Sequence, residues 1–306
     1  MTRRFLCALP FAAPLFSASA DFNGQWNIRF DNPRRRVWWL EVKGAGTGRM
    51  EGSFVGAPGG AVDVIEDLRI ENGQLVFTFS REGGKTVFTY RARLEGGTLV
   101  GTRESFSGVI RWVGTRAPAI KEEPDDGQWK RGPAVELFNG KDTTGWTLVQ
   151  AGAPGWYARD GLLCNEKGAA DVFSTARFWN FELRAEYRFG KGSNSGIGLR
   201  GRYEIQIMDS YGRPVSAHSH GALYSRIPPA VNAGKPPGEW QAMEVRLVGM
   251  TVTVRLNGQL VIDRGRIAGP TAMTIDADQD QPGPIVLQGD HGPIEFRSIG
   301  VTPLTR

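Results

Sequence analysis

Residues 194–209 read NSGIGLRGRYEIQIMD: a strand, a tight turn and a second strand, and the alternation of the second strand decides the fold. Side chains along a strand point to opposite faces with period two. Tyr203, Ile205, Ile207 and Asp209 therefore share one face, and Glu204, Gln206 and Met208 share the other. The first of these faces is largely apolar, as expected of a strand that buries one side. Turn length sets the pairing. A three-residue turn over 201–203 places Arg200 opposite Glu204, whereas a two-residue turn pairs Arg200 with Tyr203.

The same alternation extends through the C-terminal half. Phe181 to Phe189 (FELRAEYRF) alternates cleanly, as does Met243 to Val248. Val252 to Leu256 runs into Asn257-Gly258, the strongest short hairpin signal, and Gln259 to Asp263 returns. No segment carries a long helical period. The economical architecture is two antiparallel sheets packed face to face, each strand burying one side.

The N-terminal part is also a run of short strands. Trp26–Phe30, Leu75–Phe79 and Val87–Leu94 alternate, with turn signals at Glu71-Asn72-Gly73, Glu82-Gly83-Gly84 and Glu95-Gly96-Gly97. Evenly spaced strands of this kind predict a small up-and-down barrel or sandwich over residues 21–118. Trp38, Trp39 and Trp112 are expected in its core or rim, with a sugar-binding face as the alternative. Residues 119–133, polar and proline-bearing, read as a linker to a second domain over 134–306.

Residues 1–20 differ from the rest. Arg3 and Arg4 precede a mostly apolar stretch from Phe5 to Phe16, and Ala18-Ser19-Ala20 is a small-residue cleavage signal. This is a signal-peptide pattern with cleavage near Ala20. Loss of the two leader arginines lowers the formal net charge from +5 to +3 and leaves Cys164 as the one cysteine. With no disulfide possible, the expected location is a bacterial periplasm or the medium outside the cell. Cys164 itself is read as a small buried hydrophobe. The low net charge and absence of a basic block give no reason to invoke nucleic acid, and no apolar run approaches the roughly 20 residues of an integral membrane helix.

The C-terminal half resembles the 3-keto-disaccharide hydrolase domain family, and the matching pieces occur in order. They are ELFNGKDTTGWT (136–147), WYARDGLLC (156–164), NSGIGLRGRYEIQIMD (194–209), GALYSRIPPAVNAGKPPGEWQ (221–241), VRLNGQLVID (254–263) and GPIVLQGDHGPIEFRSIGV (283–301). The resemblance implies a concanavalin-like jelly-roll sandwich in an exported protein, with a carbohydrate as its partner. It implies cleavage of glycosides already oxidised to a ketone at C3. Ser298 and Gln241 stand where the family usually has Asn.

A C3 ketone acidifies the C2 proton; its removal gives an enolate that expels the glycosidic oxygen from C1, and water then adds back. The reaction needs a base near C2, a positive or hydrogen-bonding group at the C3 oxygen and a proton source for the leaving group. An ordinary glycosidase instead sets two carboxylates about the bond. Within the resemblance, Glu204 is the candidate base or acid. Arg200 is the candidate to hold Glu204 or stabilise the enolate, and His291 is the second proton-transfer group. Asn194, Gln206 and Gln288 are expected to hydrogen-bond sugar hydroxyls, and Tyr224 and Trp240 to stack on a ring or polarise an oxygen. The competing readings are a cross-strand Arg200–Glu204 ion pair on a wet face, core packing for Trp240, and a carbohydrate-binding module that needs no base.

Asp209 falls on the face away from Glu204 and is read as structural. No cofactor is assigned. His218 and His220 would share a side if they lay on a strand and so could bind a metal, the alternative being solvent-facing loop histidines. Asp276, Asp278 and Asp280 have calcium-loop spacing. Gln281 and Leu287 occupy the places where an EF-hand needs Gly and Glu, so an acidic turn is expected, with a divalent metal such as calcium as the alternative.

Overall fold

The computed structural model describes residues 21–31, 37–56, 61–81, 86–148, 152, 155–166 and 168–306. The leader over 1–20 and the Glu82-Gly83-Gly84 turn lie outside the described residues. Strands are the only regular elements among the described residues, so the chain is all-β. Two compact units divide it; the larger is built on residues 117–306 and also takes in parts of 27–39 and 54–63.

The first nine strands form one sheet. They are β1 (Gly24–Phe30), β2 (Trp38–Lys43), β3 (Glu51–Val55), β4 (Val62–Val64), β5 (Asp67–Glu71), β6 (Gln74–Arg81), β7 (Thr86–Glu95), β8 (Thr98–Ser105) and β9 (Gly108–Arg116). Their order is β4-β3-β2-β1-β9-β8-β7-β6-β5, a run of consecutive neighbours in which β1 beside β9 is the one non-consecutive pair. Trp26, Trp39 and Trp112 are buried, and Trp38 packs its ring against Phe30 and Phe54. Trp26, Trp39 and Trp112 build the interior and Trp38 lies half-buried at its rim.

The remaining strands make a two-sheet sandwich. They are β10 (Lys130–Arg131), β11 (Val135–Glu136), β12 (Trp146–Leu148), β13 (Trp156–Arg159), β14 (Leu162–Asn165), β15 (Val172–Phe178), β16 (Phe181–Phe189), β17 (Asn194–Leu199), β18 (Tyr203–Met208), β19 (Gln241–Val248), β20 (Thr251–Leu256), β21 (Gln259–Arg266), β22 (Gly283–Leu287) and β23 (Ile294–Thr305). The larger sheet runs β13-β14-β23-β16-β19-β20-β21, with β10 and β11 paired to β23. The smaller runs β12-β15-β22-β17-β18. One apolar core takes Leu183, Ala185, Tyr187, Val245 and Phe296 from the larger sheet and Ile197, Leu199, Tyr203, Ile205, Ile207, Ile285 and Leu287 from the smaller. Burial of these side chains from both inner faces is the main force holding the sheets together.

The Asn257-Gly258 turn is as expected: both residues have positive φ, 51° and 81°, and Leu256 pairs with Gln259. The hairpin at 194–209 corrects the expected register. Leu199 pairs with Tyr203 and Gly198 with Glu204, so the turn is 200–202 and Arg200 lies inside it, opposite neither Glu204 nor Tyr203. Arg200 and Gly201 take φ of 51° and 67° there, a left-handed pair that reverses the chain.

Candidate active site on the outer face of the smaller sheet

β18 places Tyr203, Ile205 and Ile207 in the core, which turns Glu204 and Gln206 to the opposite face. Register carries a single row across the sheet through Thr147, Phe173, Val286, Gly198 and Glu204. The neighbouring row carries Gly196 opposite Gln206, and the next Asn194 opposite Met208. Glycine at 196 makes room for the carboxylate: a Cβ built there would lie 2.5 Å from Glu204 Oε1. Glu204 is 4% exposed and Gln206 1%.

β18 is the edge of its sheet, yet its free side is occupied. The Gln206 N–H donates to the Ala222 carbonyl (2.9 Å), and the Gln206 carbonyl accepts from Gly221 N–H (2.9 Å). The Glu204 N–H donates to Thr271 Oγ1 (3.0 Å), and its carbonyl accepts from Tyr224 N–H (2.9 Å). The strand that carries both side chains is thereby fixed on both edges, as a positioned catalytic group requires.

The 221–224 segment brings Tyr224 to Glu204. Burial pushes the phenol pKa up, and the Glu204 charge adds to it, so Tyr224 remains protonated. The His218 ring lies 5.0 Å from the Tyr224 ring. From the other side, Gln288 follows β22; its N–H donates to the Gly196 carbonyl (3.0 Å) and its carbonyl accepts from Ser195 Oγ (2.8 Å). These bonds hold the backbone, whereas the side-chain Oε1 of Gln288 is buried with no hydrogen-bond partner. A buried, unsatisfied amide oxygen beside a carboxylate suits a ligand hydroxyl.

His291 completes the cluster. Its Nδ1 hydrogen-bonds Asp290 Oδ1, and the ring stays accessible, with 41% of the side chain exposed. The Asp290 hydrogen bond raises the imidazole pKa above its ordinary value, against some desolvation, and the charges of Asp290, Glu204 and Asp171 raise it further. Glu204 and His291 therefore sense each other's charge. Asp171 is buried, and its Oδ1 accepts the Gly289 N–H (3.0 Å), anchoring the 288–291 turn.

The structure does not bring every expected residue here. Arg200 is fully buried; its Nε donates to the Trp179 carbonyl (2.6 Å), its Nη2 to Asn180 Oδ1 (3.2 Å), and its guanidinium stacks 3.7 Å over the Trp179 ring. Burial lowers its pKa to about 10. The expected pairing with Glu204 is not made, because Arg200 sits in the turn and its side chain packs on 179–180. Trp240 lies on the outer face of the larger sheet, between the guanidiniums of Arg188 (4.9 Å) and Arg297 (4.5 Å). It is neither a core residue nor a neighbour of Glu204. Asn194 shares the Glu204 face two rows away and is half-buried.

Asp209 is structural: its Oδ2 accepts the Gly192 N–H (2.9 Å) and closes the turn before β17. Gln241, by its Oε1 and Nε2, ties together Lys235 and Asn257, and Ser298 bonds Glu186, so both departures from the family pattern fall outside the site. Cys164 is a buried free thiol, its pKa raised by burial. His218 and His220 lie in turns and part company: His218 is exposed, whereas His220 is buried with Nε2 2.6 Å from Tyr187 Oη. Asp276 accepts the buried Arg202 Nε (2.6 Å), and the Asp278 N–H donates to Asp276, which makes this an acidic turn anchored by arginine. Among the described residues, no group of three or more His, Cys, Asp and Glu side chains is placed to hold a metal.

Sequence reasoning missed Asp171, Asp290 and Thr271. Asp290 had a signal in its adjacency to His291. Asp171 and Thr271 act through contacts across 118 and 67 residues, which no local pattern shows.

A Bacteroides thetaiotaomicron (strain ATCC 29148) protein named 3-keto-disaccharide hydrolase is 24% identical over 166 residues, covering 42% of this chain and 57% of the relative. The chain thus spans little more than half the length of that relative. A crystallised protein of Parabacteroides distasonis ATCC 8503, named as a candidate glycosyl hydrolase, is 28% identical, with a TM-score of 0.51 over 60% of this chain and 94% of its own. The model of the 3-keto-alpha-glucoside-1,2-lyase-like domain matches residues 133–302, the span from β11 to most of β23. The chain belongs to the 3-keto-alpha-glucoside-1,2-lyase-like domain family.

Proposed function

We propose that the outer face of the smaller sheet cleaves glycosides carrying a ketone at C3 of one sugar, by elimination and hydration. What supports this is the electrostatic link between two proton-transfer groups of opposite character, one on β18 and one in the turn after β22. One is a buried carboxylate, Glu204; the other is an accessible imidazole, His291, whose protonated form is favoured by Asp290 and by Glu204 itself. Glu204 takes the C2 proton. The imidazolium of His291 stabilises the negative charge that moves to the C3 oxygen as the enolate forms. The C1–O bond then breaks, and Tyr224, kept protonated, supplies a proton to the departing oxygen. Water adds at C1 of the resulting double bond and gives its proton to the Tyr224 phenolate, while the proton held by Glu204 returns to C2, which restores the ketone. Gln288, Gln206 and Asn194 hydrogen-bond the ring hydroxyls. Arg200 and Trp240 have no part in these steps, being engaged by other residues.

Incubation with 3-keto-trehalose and chromatography of the released sugars tests the reading. Glu204→Gln is expected to keep sugar binding and to lose turnover by about 10²–10⁴-fold, the usual worth of a general base. Binding by the wild-type protein with no turnover would favour a carbohydrate-binding module. Export follows from the pattern over residues 1–20; a mature N-terminus near Asp21 in the periplasmic or secreted fraction is the expected result.

A further inference from the structure

The face that carries Glu204 is covered by the chain itself at one end and open at the other. The Thr271 N–H donates to the Arg202 carbonyl (2.9 Å), and the Ile275 N–H to the Gly201 carbonyl (3.0 Å). Fully buried Arg202 clamps the same segment from below, with Nε on Asp276 Oδ1 (2.6 Å) and Nη1 on the Gln281 carbonyl (2.9 Å). Residues 271–274 are each at most 3% exposed. Two glycines let this segment settle on the sheet: a Cβ at Gly201 would lie 2.7 Å from Ile275 Cδ1, and one at Gly198 would lie 2.4 Å from Met273 Sδ.

Gly198 is the direct cross-strand partner of Glu204. Met273 therefore stands in the row of the carboxylate, with Val286, fully buried, beyond it. One row along, over Gly196, the space is taken by Glu204 itself. Further in the same direction Asn194 and Gln288 are half-buried and Asp290 and His291 are exposed. The sheet rises about 3.4 Å per residue, so the change from a closed to an open face occurs within about four residues of β17.

We infer that Met273 makes the site blind: it stops a saccharide immediately beyond Glu204, so the site accepts only a keto ring whose sole glycosidic bond is the one at C1. A ring in the interior of a chain carries a second sugar on another carbon, and that sugar would have to occupy the volume of Met273 or Ile275. This rests on the cleavage chemistry proposed above and narrows its substrate to chain-terminal keto sugars. Specificity here comes from obstruction rather than from an added attraction.

Two synthetic substrates test it: a disaccharide oxidised at C3 of its non-reducing ring, and a trisaccharide oxidised at C3 of its middle ring. The wild-type protein is expected to cleave the second at least about 10²-fold less efficiently than the first in kcat/KM, and Met273→Ala to narrow that ratio by about tenfold or more. Comparable cleavage of both by the wild type overturns the inference, as does an unchanged ratio in a folded Met273→Ala. Should neither sugar be cleaved, the chemistry falls, and calorimetry on the wild-type protein then decides the shape of the site alone. Binding of the disaccharide without the trisaccharide supports a blind site, and equal binding refutes it.

Discussion

Gly196→Ala gives the sharpest separation of fold from chemistry. A Cβ at this position would lie 2.5 Å from Glu204 Oε1, 2.9 Å from Cγ and 3.0 Å from Cδ. Ordinary contact lies near 3.5 Å, so the carboxylate oxygen must retreat by about 1 Å. The backbone of Glu204 cannot follow, because its N–H is held by Thr271 and its carbonyl by Tyr224. The side chain must turn instead, at a cost of about 0.5–1.5 kcal/mol for a strained rotamer. The backbone at Gly196 is not among the positive-φ positions. Alanine is allowed there, and its smaller unfolded-state entropy returns about 0.4–1 kcal/mol. The two effects nearly cancel, so thermal unfolding should shift by only a few degrees. Catalysis is less forgiving: a misplacement of about 1 Å can lower kcat/KM by about 10²-fold. The assay is initial-rate kinetics on a 3-keto-disaccharide, beside thermal melts followed by circular dichroism. A variant that melts like the wild type and retains its full kcat/KM would show that the Glu204 carboxylate does not abstract the proton.

Two further outcomes follow from charges on either side of the same residue. Asp290→Asn removes the principal cause that raises the His291 pKa. If the imidazolium is the active form, activity is lost as pH rises through that pKa, and the variant should move the alkaline limb of the kcat/KM profile to lower pH. An unmoved limb would count against His291. The stabilising share of this pair is fully present below about pH 6.5 and is lost on the same alkaline rise. Asp276→Asn leaves the guanidinium of Arg202 buried without its counter-charge. Removing one partner of a buried pair destabilises by about 3–5 kcal/mol, and partial exposure of Asp276 brings the expectation to about 2–3 kcal/mol in urea unfolding. A loss below about 1 kcal/mol would show that the clamp on residues 271–281 lies elsewhere.

The sandwich was readable from alternation alone. Phe181–Phe189 buries every second residue as its pattern requires, and Asn257-Gly258 turns where it should. Of the candidate site, side-chain parity set Glu204 and Gln206 on one face, whereas Gln288 and His291 were indicated by the ordered motifs alone. The 200–202 turn was not. Its shape depends on Arg200 accepting a left-handed backbone, stabilised by stacking on Trp179, a contact local spacing does not reveal. Trp240 misled for a related reason: an indole before a strand can face either sheet, and here two arginines of the larger sheet hold it. His220 was expected in solvent, and only the fold brings Tyr187 above it.

That buried histidine bears on how the protein meets acid. Enclosure in the core drives the His220 pKa down to about 3, and its ring remains neutral against the Tyr187 hydroxyl. An unfolded chain takes up this proton below about pH 6.5, whereas the native one declines it until near pH 3. Stability conferred by this residue is whole above that interval. Within it, each unit of acidification favours the unfolded chain by up to about 1.4 kcal/mol. Tolerance of a sour environment therefore depends in part on one enclosed imidazole, which adds to the loss felt at the arginine-paired carboxylates Asp125 and Glu182.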